Sequence, residues 1–369
     1  MSSFRLFLIG ILVIPFTLLS CGSDDNYIPV DPVVEDPVLE SPVNYDLAAF
    51  PFTTLSEYNF FEGNLVELEP VYGVIPYNLN SGLFTDYAHK KRFVWMPDGS
   101  KANYVNDYSI LDFPLGTILI KNFYYDNVQP NNTSQVIETR LQIKKEEGWV
   151  FANYVWNEEQ TEATFDLNGS FVPFQFMHET ELMDVNYRIP SGSNCLTCHK
   201  SDNDVALPIG PKPQNLNKSY NYSDGSMNQL QKWIEFGYLE DSLPEHIVST
   251  INWEDEALPL DLRVRSYLDI NCAHCHADER HCDYRPVRFE FNLSEDISNL
   301  GVCIEPHEVF DPSLTYIVNP GNAERSVIAT RINSTEESIR MPLLGRTITH
   351  IEGAQLIEEW INSLTNNCE

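Results

Sequence analysis

Cys195-Leu196-Thr197-Cys198-His199 and Cys272-Ala273-His274-Cys275-His276 are two copies of one five-residue pattern, Cys-x-x-Cys-His. On one helical turn, two thiols three positions apart face the same way, and the next side chain lies beside them. That spacing lets each thiol add to a vinyl group of haem while the histidine comes under the ring as an axial iron ligand. The pattern predicts covalent attachment at Cys195 and Cys198 and at Cys272 and Cys275, with iron coordination by His199 and His276. Two covalently bound c-type haems are the expected cofactors. A four-thiolate zinc site would use the same cysteines, but its halves lie about seventy residues apart in the chain and it leaves both histidines unexplained. A thioredoxin-like redox pair or two local disulfides need neither histidine.

Outward from the second copy, a helix is expected over Pro259–Ile270, running into Cys272–His276. Beyond it come Asn319-Pro320-Gly321-Asn322, a helical stretch Ser326–Ile332, the loop residues Arg340-Met341-Pro342, and a helix over Gly353–Leu364. In that last helix Ala354, Ile357, Ile361 and Leu364 follow 3-4-3 spacing with Leu356 and Trp360 beside them, so one broad face is apolar. This order resembles a class I cytochrome c domain. The resemblance implies that Met341, on a loop ahead of the C-terminal helix, is the sixth ligand of the second haem iron, with His307 and His350 as substitutes. Its polar surroundings make a core-packing role less natural. His276 and Met341 lie 65 positions apart, more than compact members of that family use, which implies an insertion around Glu279–Leu314.

Most of the chain is also similar to a family of exported bacterial diheme c-type cytochromes. The carrying residues are Leu55-Ser56-Glu57-Tyr58, Pro76-Tyr77-Asn78-Leu79-Asn80 with Leu83-Phe84, Thr139-Arg140-Leu141 ahead of Tyr154-Val155-Trp156-Asn157, Ile209-Gly210-Pro211-Lys212, and Asn271 with the second haem pattern. The family implies electron transfer rather than a defined reaction. For the iron of His199 the nearby sixth-ligand candidates are Met177, His178, Met183 and Met227, with His178 and Met227 ahead of the others. An open iron is the alternative; it would bind small ligands or peroxide, and there an enzymatic reading enters, peroxidase-like in its division of labour. Lys200, Arg340 and Arg346 are candidates to neutralise haem propionates, with surface solvation as the competing role. His274 and His281 are expected to face solvent or a propionate.

Upstream, residues 50–190 run mostly at period two. Arg92–Trp95, Thr117–Tyr124, Val136–Lys144, Trp149–Trp156 and Thr161–Phe165 are short β-branched or aromatic runs. Lys145-Glu146-Glu147-Gly148 predicts a hairpin between the third and fourth, its glycine free to take positive φ. This part holds no nucleophile elbow, phosphate loop or helical metal motif. A third possibility for the whole chain is therefore a surface binding protein whose β region captures a ligand.

The first twenty residues carry one cation, Arg5, and an apolar run from Leu6 to Leu19, the length of a signal h-region. The run ends on Leu18-Leu19-Ser20-Cys21, which resembles a bacterial lipobox and implies acylation of Cys21. Residues 21–49, with Pro29, Pro32, Pro37 and Pro42, read as an extended acidic tether. The expected location is the cell envelope of a Gram-negative bacterium, lipid-anchored, periplasm-facing or on the surface. The chain has 54 acidic residues against 23 basic ones, a net charge of −31, so a nucleic-acid partner is excluded and a basic redox partner fits. Of the remaining cysteines, Cys282 and Cys303 both fall in the expected insertion and are the predicted disulfide, leaving Cys368 unpaired.

The fold class expected is α+β and multidomain. An antiparallel β domain (50–190) precedes mainly α, loop-rich haem regions, one over 191–258 and a class I-like cytochrome c domain over 259–369.

Overall fold

The computed structural model describes residues 39–201, 205–365 and 367–368. The expected signal segment, the acylated Cys21 and the first part of the tether lie outside the described residues. No helix among those described is long and apolar enough to cross a membrane.

The alternating runs upstream form one antiparallel sheet. A two-residue ladder, β1 (Phe61–Glu62) with β2 (Glu69–Pro70), precedes it. The eight strands of the sheet are β3 (Ile75–Tyr77), β4 (His89–Trp95), β5 (Ile118–Val128), β6 (Thr133–Lys145), β7 (Gly148–Trp156), β8 (Ala163–Phe165), β9 (Ser170–His178) and β10 (Glu181–Ile189). Strands β3 to β8 pair in sequence order, and the β9–β10 hairpin joins the far end of β5 through Val128 and Phe176. Register shifts after Phe123 and after Tyr125 bend β5, which lets one long strand serve two partners. The predicted hairpin is present. Lys145 pairs with Gly148 across Glu146-Glu147, and Gly148 takes φ +119°, a value that suits only glycine.

Each face of the sheet follows from the alternation. Phe93, Ile120, Leu141 and Ala152 oppose one another in a row and pack on Val43, Phe50, Tyr58 and Phe60 of the preceding segment. On the other face Val94, Leu119 and Trp149 meet Leu230, Trp233 and Ile270.

Helices dominate after Pro190. They are α1 (Gly192–His199), α2 (Pro213–Leu216), α3 (Gln229–Phe236), α4 (Leu260–Leu268), α5 (Val327–Asn333) and α6 (Ile351–Ser363), with a hairpin of β11 (Ser219–Tyr222) and β12 (Gly225–Asn228) ahead of α3. Helix α3 starts at Gln229 because Asn228 ends β12 and caps the helix, accepting from the N–H groups of Leu230 and Gln231. Helix α4 gives way after Leu268 to a π-helical turn over Asp269–Ala273. Helices α4, α5 and α6 share a core of Val264, Leu268, Ile328, Ile332, Ile357 and Trp360. Gly353 sits where α6 crosses α4; a Cβ there would collide with the Tyr267 hydroxyl and the His350 ring.

Residues 40–369 pack as one unit. Three bonds show how the sheet side and the helical side are joined. Asp86 accepts from the N–H groups of Thr347 at 2.6 Å and Ile348 at 3.1 Å, and Asn271 Oδ1 accepts from the Phe84 N–H at 2.8 Å.

The disulfide differs from the expected one. Cys303 is joined to Cys368 across 65 positions, and Cys282 is unpaired and buried. Closeness in sequence misled here. The Cys282 N–H bonds back to the Cys275 carbonyl at 3.0 Å, which ties that cysteine to the second haem pattern, while the Cys303 N–H bonds to the carbonyl of Val318, a residue in the core shared with the terminal helix.

Candidate functional site

Helix α1 carries the first cysteine pattern. Ser191 and Asn194 form a capping box at its start, with the Ser191 N–H donating to Asn194 Oδ1 at 3.2 Å. Cys195, Cys198 and His199 then fall on its last turn and a half, bordering one cavity. The His199 Nδ1 lies 2.8 Å from the Leu207 carbonyl. A carbonyl only accepts, so Nδ1 holds the proton and Nε2 keeps its lone pair. Burial pushes His199 down to about 4, and it is neutral at pH 7.

The second pattern sits on the π turn that follows α4. The Cys275 and His276 N–H groups both bond to the Cys272 carbonyl, at 3.1 and 2.9 Å, closing a tight turn around the cysteines. Asp269, at the start of the turn, is buried and accepts from the Phe291 N–H at 3.0 Å and Gln214 at 3.2 Å, with Lys212 at 3.6 Å. Burial lowers His276 to about 4, and its Nδ1 is buried without a partner. Cys272, Cys275, His276 and Met341 border a second cavity. Counted out to their mouths, this helical cavity holds about 1100 Å³ and the sheet cavity beside His199 about 1200 Å³.

Met341 is held in place by its backbone. Its N–H donates to the Arg331 carbonyl at 2.9 Å, and its own carbonyl accepts from Arg346 at 2.9 Å. The same guanidinium also bonds to the carbonyls of Ser334 and Ile348. Arg346 thereby fixes this loop, and Arg340 bonds to the Thr335 carbonyl and to Glu337 while its Nε is buried without a partner.

The two patterns touch. One ligand atom each from Cys198, His274 and Cys275 lie within 4.8 Å of one another, the one such group of metal-binding type among the described residues. Cys198 is the acidic member, held well below the usual thiol range chiefly by the Cys275 thiol that donates to it. His274 borders both cavities, and its Nδ1 is buried without a partner.

Neither favoured sixth-ligand candidate for His199 borders the sheet cavity. His178 lies at the end of β9, 3.6 Å from Glu352, and Met227 is in β12 opposite Tyr220. Sequence reading also missed a row of cations on the sheet wall, Arg92, Lys121 and Arg140, which all border this cavity. The available signal was Lys121, a charge inside the apolar run Ile118–Phe123.

Comparison with protein-family models, with curated proteins and with solved structures returns no match.

Proposed function

We propose that this chain is an exported, lipid-anchored diheme c-type cytochrome that passes electrons between partners in the cell envelope. One observation carries the reading: each Cys-x-x-Cys-His pattern has its histidine bordering a different cavity, half-buried and neutral.

The donor set fits haem. The thiols of each pair stand on one turn, and the Leu207 carbonyl fixes the His199 tautomer that leaves Nε2 as a ligand. Bound haem would supply an iron cycling between ferrous and ferric, one electron at a time. The protein sets the rest. His276 and Met341 offer a nitrogen and a thioether to one site, a pair that favours the reduced state. The α4, α5 and α6 core around the second pattern supports a cytochrome c-like haem region over 259–369. The net charge of −31 supports a basic partner, and electron transfer to it weakens as salt is raised.

A second reading is a haem oxidoreductase whose first iron is open. It is favoured by the sheet cavity, where no methionine stands among the described residues that border it. A third uses Cys198, His274 and Cys275 to hold a soft metal ion such as zinc.

The test is a pyridine haemochrome assay with metal analysis on protein made in a c-type maturation system. Two haems per chain are expected, falling to one when Cys195 and Cys198, or Cys272 and Cys275, are changed to Ala. No haem, with stoichiometric zinc, would replace the first reading by the third.

A further inference from the structure

The wall of the sheet cavity carries a cross-strand row whose charge is unbalanced. The register opposes Arg92 on β4 to Lys121 on β5, Lys121 to Arg140 on β6, and Arg140 to Asn153 on β7. Directly opposed residues share a face and stand about 5 Å apart. Phe123 supports the row from the same face, its ring 4.9 Å from the Lys121 ammonium and 4.4 Å from the Arg140 guanidinium. Like charges side by side on a sheet repel, and burying each is costly without a counter-charge.

The protein supplies only part of that counter-charge. Glu138, fully buried, bonds to Arg140 through both carboxylate oxygens and accepts from the Tyr187 hydroxyl at 2.6 Å, so its charge is committed to Arg140. Arg92 is 6% exposed and gives one N–H to Asn78 at 3.1 Å; its Nη2 is buried with no partner. Both polar atoms of the Asn153 side chain, a residue 4% exposed, are likewise buried and unpartnered. Among the described residues, no carboxylate forms an ion pair with Arg92 or Lys121. Unmet donors of this kind are rare in folded proteins and call for a missing acceptor. Burial, with Arg92 and Arg140 alongside, holds the Lys121 ammonium well below its ordinary range, as expected of a cation that lacks its anion.

We propose that Arg92, Lys121 and Asn153, flanked by Arg140, form a carboxylate seat that receives the propionates of a haem attached at Cys195 and Cys198. The inference rests on the diheme reading and gives the β-sheet a purpose, which is to neutralise the two acidic groups of the first haem in a chain that is otherwise strongly acidic. Charge-assisted bonds of this sort are the strong ones, and a guanidinium with an ammonium suits two carboxylates.

The test uses the mature diheme protein with Lys121→Gln, Arg92→Gln and the conservative Lys121→Arg. Potentials of both haems are measured against pH, and resonance Raman spectra follow the propionate bending bands. Without a neutralising cation, carboxylate charge near the iron favours the ferric state, and the carboxyl pKa rises. The potential of one haem should fall and become pH-dependent, its propionate band should shift, and the other haem should not change. Lys121→Arg should restore both signals. Potentials and bands unchanged in both glutamine variants, with two haems still attached, overturn the seat and leave the diheme reading standing. A haem count unaltered by changing Cys195 and Cys198 to Ala removes the first haem, and the seat with it. If Lys121→Gln fails to fold, Asn153→Leu is read in the same way. Sodium succinate or inorganic phosphate titrated into the wild type checks for a diffusible anion. Saturable binding lost in Lys121→Gln, with both haem potentials unmoved, would assign the row to such an anion and overturn the proposal.

Discussion

The helical cavity and the sheet cavity hold the same five-residue pattern in different settings. Around His276 most of the walls come from segments that follow the pattern in the chain, with Thr197 and Cys198 of α1 beside them, and Met341 stands there on a loop pinned by Arg346. Around His199 one wall is α1 itself and the facing wall is β4 to β7, contributed by residues forty to more than a hundred positions earlier, with a row of cations and no methionine among the described residues that border it. On the proposed reading one environment completes a metal's coordination and the other meets charge at the edge of a ligand. Identical short patterns therefore do not imply identical sites, because the pattern fixes attachment while the opposite wall fixes chemistry.

The contrast is broken most directly by carbon monoxide. On the proposed reading the reduced diheme protein should bind none, because both irons of a carrier are fully ligated; one molecule per chain at the His199 site, as read by the Soret shift, would favour the oxidoreductase reading, and two would make the sites alike. Next in size is the staple of the helical half. Cys303→Ser should lower stability by about 2–4 kcal/mol in urea unfolding under oxidising conditions. The loss should appear as early exposure of residues 303–368 in limited proteolysis, with the sheet still protected. Met341→Ala should abolish the sulphur-to-iron absorption band and lower one potential by about 0.1 V, a fraction of the span that axial ligands command. The haem at His199 should keep its potential.

The smallest effect lies at the seam between the two halves. His350 is buried between Phe84, stacked at 4.0 Å, and Tyr267, whose hydroxyl is 3.1 Å from Nδ1. Burial holds it at about 4 against 6.5 when unfolded. Its folded pKa is the lower one, so the unfolded chain takes up the proton first and stability falls as pH drops from about 6.5 toward 4. Between pH 6.5 and 5.5 the cost is about 1 kcal/mol. Urea midpoints of wild type and His350→Gln at pH 7.5 and 5.5 should show the slope reduced in the variant.

How much of this was legible depended on sequence distance. Strands β4 to β8, the Glu146-Glu147 turn and helices α4 to α6 were readable because alternation and 3.6-residue spacing are local. Strands β9 and β10 were not, since Pro173 and the half-exposed Phe171, Phe174 and Leu182 do not look like a strand until paired. Pro173 is tolerated because β9 meets β5 only through Phe176, which leaves most of that edge without a second neighbour. The histidines and thiols of the two patterns could be singled out from spacing alone. The cation row could not, because Arg92, Lys121, Arg140 and Asn153 become neighbours only once four strands are in register. The true partner of Cys303 was hidden for a related reason: 65 positions of chain separate it from Cys368.

The contact of Cys198 and Cys275 has a consequence for the order of events during biogenesis. These sulphurs come from segments 77 positions apart and meet within 4.8 Å only after the sheet and the helices have closed on each other. Each is then reached only through a cavity already walled by the other half. On the proposed reading, any enzyme that modifies them must work on the open chain, so maturation competes with folding. A chain that folds first is not a precursor but a dead end, and slow closure of the long-range contacts keeps the time window open.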